Sequence, residues 1–540
     1  MTRFTRRGRS RWIAVGALVA AGALVLSACG GGGGGGGDQA QTVSIEWGEP
    51  ENPLIPGSTN EQNGGDAIDA LFTGLVKYDA KTGQPSNAMA DSITTTDNRT
   101  FTIRIKPNWT FHDGTPVTAQ SYVDAWNWTA FGPNAAQNQS FMEKIQGYDQ
   151  VSAENATVNQ LSGLRVVDPT TFTVTLSQPF TIFPVTLGYT AYFPMPQKFF
   201  ADRAGYEAAP VGNGPFRFVS RTPNQELDLA RYDQYAGDDK AQVQNLQFRV
   251  YSDLNTAYSD VVSGSLDHIR QIPSSSLAGN RWRTDLGAGA QTVPGLVTQS
   301  LTFPTYDPRF ANPLLRKAFS MAIDRQAIIN QLFNGIYTPA DGYATPTVQG
   351  YVPNQCGQTC TFDPNAAKQL LAQAGGIQGP VTLVANSDGG NDEWMQAITN
   401  QLRQNLGIDV NYAPVPTFQE ARRLANAKQY TGPFRAAWQG DYPSIETFLS
   451  QLYRTGASAN DAGYSNPAFD AAMNAADAAP TIEAANQAYA NAERIVLNDM
   501  PAIPLWSRPV IWGDGQRVQT GLQTPLNRID APAFVLKPQG

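Results

Sequence analysis

The chain has 540 residues, 38 of them Lys or Arg and 46 Asp or Glu, for a formal net charge of −8. That balance argues against a nucleic-acid partner, because such binding rests on neutralising phosphates with Lys and Arg, and two histidines exclude a histidine-rich metal site. A chain this long forms two or three domains, and 16% charged with 10% aromatic residues suits a compact body that buries aromatic surface.

Residues 12–26 are apolar or small, and Arg3, Arg6, Arg7, Arg9 and Arg11 precede them. A basic head, a short apolar middle and small residues before a cut make a secretory signal. The apolar run falls short of a membrane span of ~20 residues. Its end, Leu26-Ser27-Ala28-Cys29, resembles a bacterial lipobox. The resemblance implies a lipoprotein signal peptide over 1–28 and Cys29 as an acylated (palmitate-bearing) first mature residue. An ordinary signal with a chance cysteine is the alternative. Gly30 through Gly37 have no side chains to bury, so 29–40 reads as a flexible tether. The expected location is the extracytoplasmic face of the cell membrane, lipid-anchored at Cys29. A large body on a short leash suits capture of something for a membrane partner.

Past the tether, Val43, Ile45 and Trp47 alternate as one face of a strand. A Pro/Gly-rich loop follows over 49–60, then a helix with Ile68, Leu71, Phe72 and Leu75 at helical spacing. Phe101, Ile103 and Ile105 alternate with polar residues as a half-buried strand, and Phe172, Val174 and Leu176 do the same. Between them Thr118 is the expected N-cap of an aromatic helix through Tyr122, Trp126 and Trp128. The glycines of 211–218 do not make a phosphate cradle, since no Lys-Ser/Thr follows and no helix opens there. A loop entering a strand is expected instead. Leu246, Phe248 and Val250 mark another strand, 255–264 a helix, and 265–267 a return to strand.

From about residue 297 helix and strand alternate. Residues 312–335 read as a helical pair. Asp363, Pro364, Leu370, Leu371 and Gly375 spell a complete short helix with cap, start and stop. Strand at 381–384, helix at 394–406 and strand at 408–412 make a parallel crossover. Residues 435–438 read as a buried strand, 468–497 as Ala-rich helix and 503–506 as a last core strand. Cys356 and Cys360 stand in a Pro/Gly/Asn-rich stretch. Outside the cytoplasm a local disulfide is expected. A metal pair is the alternative, but metal sites need three or four ligands and no histidine lies near.

Seven segments in order carry a wider resemblance: Asn52-Pro53-Leu54, Leu71-Phe72-Thr73-Gly74-Leu75-Val76, Phe111-His112-Asp113-Gly114-Thr115-Pro116-Val117-Thr118-Ala119, Pro210-Val211-Gly212-Asn213-Gly214-Pro215-Phe216, Arg316-Lys317-Ala318-Phe319-Ser320-Met321-Ala322-Ile323-Asp324-Arg325, Tyr464-Ser465-Asn466-Pro467-Ala468-Phe469-Asp470 and Met500-Pro501-Ala502-Ile503-Pro504-Leu505. The chain resembles the extracellular solute-binding proteins of oligopeptide and dipeptide ABC transporters (family 5). The resemblance implies an α/β, two-lobed periplasmic-binding-protein-like fold of type II, cluster C. Lobe I would comprise 41–76, 211–296 and 507–540, with an extra α+β subdomain over 77–210. Lobe II would be 297–506, and crossings near 297 and 507 would form the hinge.

The same resemblance implies a site. Asp441 matches an aspartate that pairs with a peptide's free amine, and a buried ammonium does need an opposite charge. Arg435 matches a position that reaches the ligand carboxylate in some members. Ala437, Gln439 and Gly440 would offer backbone to an extended peptide, while Trp438 and Tyr442 would wall a side-chain pocket. Gly57, Ser58 and Thr59 align with the first-lobe wall. Trp394 and Trp506 fit a pocket or the core equally. Pro443-Ser444-Ile445-Glu446 departs from the family pattern after the aspartate, which leaves the pocket's shape open. His112 is read as structural. The expected partners are an oligopeptide, ABC permease subunits and, through them, cytoplasmic ATPases, around a monomer with no cofactor and no reaction of its own. The alternative is a non-peptide ligand such as haem, a metal chelate, a sugar or a glycolipid. A hydrolase is disfavoured by the lack of a Gly-x-Ser-x-Gly elbow.

Overall fold

The computed structural model describes residues 41–387 and 390–538, so the expected signal peptide, tether and Cys29 lie outside the described residues. Nine strands form one mixed sheet: β1 (Thr42–Trp47), β2 (Phe216–Thr222), β3 (Glu226–Arg231), β4 (Asn245–Val250), β5 (His268–Ile269), β6 (Ala290–Thr302), β7 (Thr338–Pro339), β8 (Phe434–Gln439) and β9 (Ala502–Asp514). Their order is β8-β6-β9-β5-β1-β4-β3-β2, with β7 also paired to β9. β1 runs parallel to β4 and β5. It is buried on nearly every residue, as a strand covered on both faces must be.

A buried charge network ties β1 to the helix Gln62–Leu71. Arg270, 7% exposed, donates to Asp66 at 2.5 Å and to the Glu46 side chain at 3.3 Å, and its Nε reaches the Glu46 carbonyl at 2.8 Å. The expected strand at 265–267 is one step late: β5 is His268–Ile269. Asp267 instead pins β1, accepting from both the N–H and the hydroxyl of Ser44 at 2.9 Å.

Strands Ala90–Thr95, Thr100–Ile105, Thr171–Thr175 and Leu164–Asp168 make a separate antiparallel sheet. The alternation read from 101–105 is seen as buried Phe101, Ile103 and Ile105 between exposed neighbours. Helix Ala119–Ala130 begins with a capping box between Thr118 and Ser121. It lays Tyr122 and Trp126 against Phe172, each at a 5.6 Å ring separation. His112 is held by the Gly214 carbonyl and the Gly212 N–H.

The helices Pro313–Met321, Arg325–Leu332 and Pro364–Gln373 fall where the caps and periodicity put them. Val381–Leu383 and Val410–Tyr412 pair in parallel around helix Asp392–Leu406. Other expectations need correction: the Ala-rich stretch at 468–497 is two helices, Pro467–Asp477 and Ile482–Asp499, on either side of Pro480. β8 is not a buried strand but the sheet's edge, with its middle residues half-buried. β9 does not stop near 506; it continues to Asp514 beside β6. The two strands pair with register shifts between Val293 and Val297 and between Gln299 and Ser300. No helix among the described residues is long and apolar enough to cross a membrane.

Candidate functional site

β8 is where the edge of the sheet becomes available. In an antiparallel pair, successive residues point their backbone groups to opposite sides. Gly440 donates to the Leu296 carbonyl across the β6 side, and Arg435 donates to Val384 on the other. By that alternation the N–H and C=O groups of Ala437 and Gln439 also turn away from β6. Among the described residues Val384 covers only the Arg435 end, so the open edge starts at Ala437.

Two cavities meet this strand. One, of about 340 Å³, is lined by Arg435, Ala436, Ala437 and Trp438, together with Tyr343, Phe418, Tyr430 and the Arg422–Asp461 ion pair. The other, of about 690 Å³, is lined by Gln439, Gly440 and Asp441 and, from distant parts of the chain, by Asn60, Asp69, Tyr189, Arg528 and Asp530. Gln439 spans it, donating to the Leu526 carbonyl at 2.7 Å.

The turn after β8 sets Asp441. Helix Glu446–Tyr453 follows at once, and its Thr447 hydroxyl reaches back to the Asp441 carboxylate at a long 3.5 Å. Burial pushes the Asp441 carboxyl up to about 7; Thr447 and Arg528 pull the other way, and Glu446 adds to the rise. Asp69 is similarly lifted, to about 6, by burial and by Asp66 against the pull of Arg528 4.0 Å away. A half-buried carboxylate with one weak neutral partner stabilises an incoming cation.

The remaining expected site residues are elsewhere. Tyr442 is 7% exposed, donates to Glu446 behind the turn, and lines neither cavity. Trp394 and Trp506 pack on each other edge to face at 5.3 Å in the core. Neither lines either cavity. Gly57 and Thr59 are buried behind the wall: a Cβ on Gly57 would lie 2.1 Å from the Thr129 hydroxyl, and Thr59 donates to the Pro53 carbonyl. Ser58 sits in the same short turn, and the cavity is met instead by Asn60 and Gln62. Asp69, Tyr189, Arg528 and Asp530 were not singled out from sequence. Asp69 sits off the apolar face of its helix, a position that solvent-facing acids share.

Cys356 and Cys360 form a disulfide with Cα atoms 5.5 Å apart, and the described residues hold no metal cluster. The Cys356 N–H donates to Asp341, and Glu493 accepts from the N–H groups of Tyr343 and Ala344 at 2.6 and 3.2 Å. Both contacts brace the 340–344 loop that walls the smaller cavity.

Residues 84–460 match the family described as bacterial extracellular solute-binding proteins, family 5 Middle. The oligopeptide-binding protein OppA of Bacillus subtilis is 26% identical over 93% of this chain and 95% of its own. The periplasmic murein peptide-binding protein MppA of Escherichia coli is 29% identical over 86% of each. An MppA structure in an unliganded open form superposes with a TM-score of 0.79 at 24% identity, over 92% of this chain and 97% of that one. The fold is therefore the mixed α/β, two-lobed one of periplasmic binding proteins.

Proposed function

The chain belongs to the bacterial extracellular solute-binding proteins of family 5, and on that premise we propose that it captures oligopeptides between two closing lobes and hands them to an ABC importer. The observation that carries this reading is Asp441, a half-buried carboxylate with one long hydrogen bond, set at the end of the open edge of β8. Such a pair offers a peptide both things it needs on leaving water: an anion for its free amine and backbone partners for its main chain. Backbone pairing tolerates many side chains. The peptide-binding names of the relatives point the same way.

In this reading lobe I comprises 41–76, 211–296 and 507–540, carries the subdomain 77–210, and faces lobe II at 297–506. β6 and β9 are the strands that cross between lobes, and their register shifts give the hinge its soft points. A ligand that touches both lobes only when they are together drives closure by differential affinity. Arg435 serves the ligand's carboxylate end, and Ala437 and Gln439 its backbone. Acylated Cys29 keeps the monomer at the membrane, near permease subunits whose ATPases supply the energy.

The test is to purify the protein without refolding, unfold it and weigh what it releases by mass spectrometry. A ladder of short peptides, absent from Asp441→Ala, supports the reading. A single non-peptide mass, or the same peptides on the variant, overturns it.

A further inference from the structure

The interior of the larger cavity holds more carboxylates than one peptide amine can use. Asp69, Asp441 and Asp530 line its interior, with Arg528 beside them. Arg528 is already committed: it donates to the carbonyls of Glu61 and Gln62 at 3.3 and 2.9 Å and lies 4.0 Å from Asp69. The remaining cations, Lys77, Lys81 and Lys240, are exposed at the rim, and Lys77 pairs with Asp239 at 3.1 Å. Asp239 also accepts from the Tyr235 hydroxyl, and Asp79 caps its own turn through Lys81 and Thr82.

Asp530 has no such relief. Among the described residues its carboxylate has neither a hydrogen bond nor an ion pair. Burial and the nearby charges of Asp239 and Asp79 lift it to about 6, against the pull of Lys77. The charges that bear on it are not those that bear on Asp441, which are Glu446 and Arg528. Asp441 follows the end of β8 and Asp530 stands on the C-terminal segment, its N–H donating to the Leu522 carbonyl, so two separate elements present the two carboxylates to the cavity. A second polar group is left over as well: Thr190, 4% exposed, lines the cavity with a hydroxyl that has no partner among the described residues.

We propose that this cavity selects peptides whose first residue is Lys or Arg, with the α-ammonium on Asp441 and the side-chain cation on Asp530. The inference rests on the peptide reading above. A carboxylate held out of bulk water rewards a matching charge and penalises an apolar group placed beside it. An acidic first residue meets Asp530 as a like charge and is rejected.

The probes are the tetrapeptides Lys-, norleucine- and Glu-Ala-Ala-Ala, titrated calorimetrically into the protein at pH 7.5. Norleucine keeps the length of Lys without its charge. The Lys peptide is expected to bind at least about tenfold tighter than the norleucine peptide, and the Glu peptide weakest. In Asp530→Asn the Lys advantage should vanish while the norleucine affinity stays. Equal Lys and norleucine affinities in the unmodified protein overturn the inference without needing any variant, as does a Lys advantage that survives Asp530→Asn. If none of the three binds, the peptide reading itself fails, and this inference with it.

Discussion

Replacing Asp441 by Asn should strengthen the empty protein and weaken its ligand complex, and both effects should follow pH. In the folded chain the carboxyl sits near 7 instead of 3.8. The shift is about three units at 1.36 kcal/mol each, an upper bound of about 4 kcal/mol; water reaching a half-buried group brings it to about 2 kcal/mol. The folded state binds this proton more tightly than the unfolded state. Ionised Asp441 therefore costs nothing below about pH 4 and its full amount above about pH 7. Asn, of the same shape, escapes that cost, so urea unfolding of the ligand-free proteins should show no difference at pH 4 and an advantage of about 2 kcal/mol for Asn at pH 8. Binding moves the opposite way. An ammonium needs the ionised form, so wild-type affinity should rise roughly fivefold from pH 6 to pH 7 and fall again above about 8 as the peptide amine deprotonates. Asn should lose the rising limb and about 2 to 5 kcal/mol of affinity at pH 7.5. The binding window stays above 6 because Asp69 and Asp530, in the same cavity, titrate near there. An Asn variant that is less stable at pH 8, or that keeps the rising limb, would refute the reasoning.

Other substitutions separate scaffold from site. Arg270→Met leaves Asp66 and Glu46 buried without their cation, and thermal unfolding should report a loss of about 3 to 5 kcal/mol. Cys356→Ser with Cys360→Ser opens a short loop and should lower the urea midpoint by an amount worth about 2 kcal/mol. Ala437→Pro removes an N–H that points away from β6; an edge strand tolerates that loss. The fold should survive by circular dichroism, while peptide affinity drops at least about tenfold for want of one backbone bond. Unchanged affinity would remove β8 from the binding surface.

Local signals in the chain were readable where the chemistry is local. Asp363 accepts from Asn365 and Ala366 N–H groups at the head of its helix, as a cap followed by proline must. The alternation of 101–105 could only be a half-buried strand. The run Ala436-Ala437-Trp438 misled because small apolar residues suit a buried strand and an edge that lines a cavity equally well. Trp394 and Trp506 could not be assigned from sequence for the same reason: an indole is as good in a core as in a pocket. Asp441 emerged through the family likeness, and the cavity opposite it did not. Asn60, Asp69, Tyr189, Arg528 and Asp530 come from three separated stretches, and no periodicity marks residues that share only a cavity.

The strand order of the main sheet also dictates when the protein can fold. β1 emerges first from the ribosome, yet the residue that Thr42 pairs with in β4 lies 203 positions later. Its other neighbour, β5, is anchored by His268 to Asp514, 246 positions further on. β6 likewise waits for β9. Contacts this distant in sequence form slowly and late, and a nascent chain holds this buried strand unpaired until β4 has been made. The separate four-stranded sheet draws all its strands from between Ala90 and Thr175, so it can close while the rest is still being made. During synthesis one small sheet can thus be closed while the main sheet is still open, and the open chain is what a holding chaperone meets.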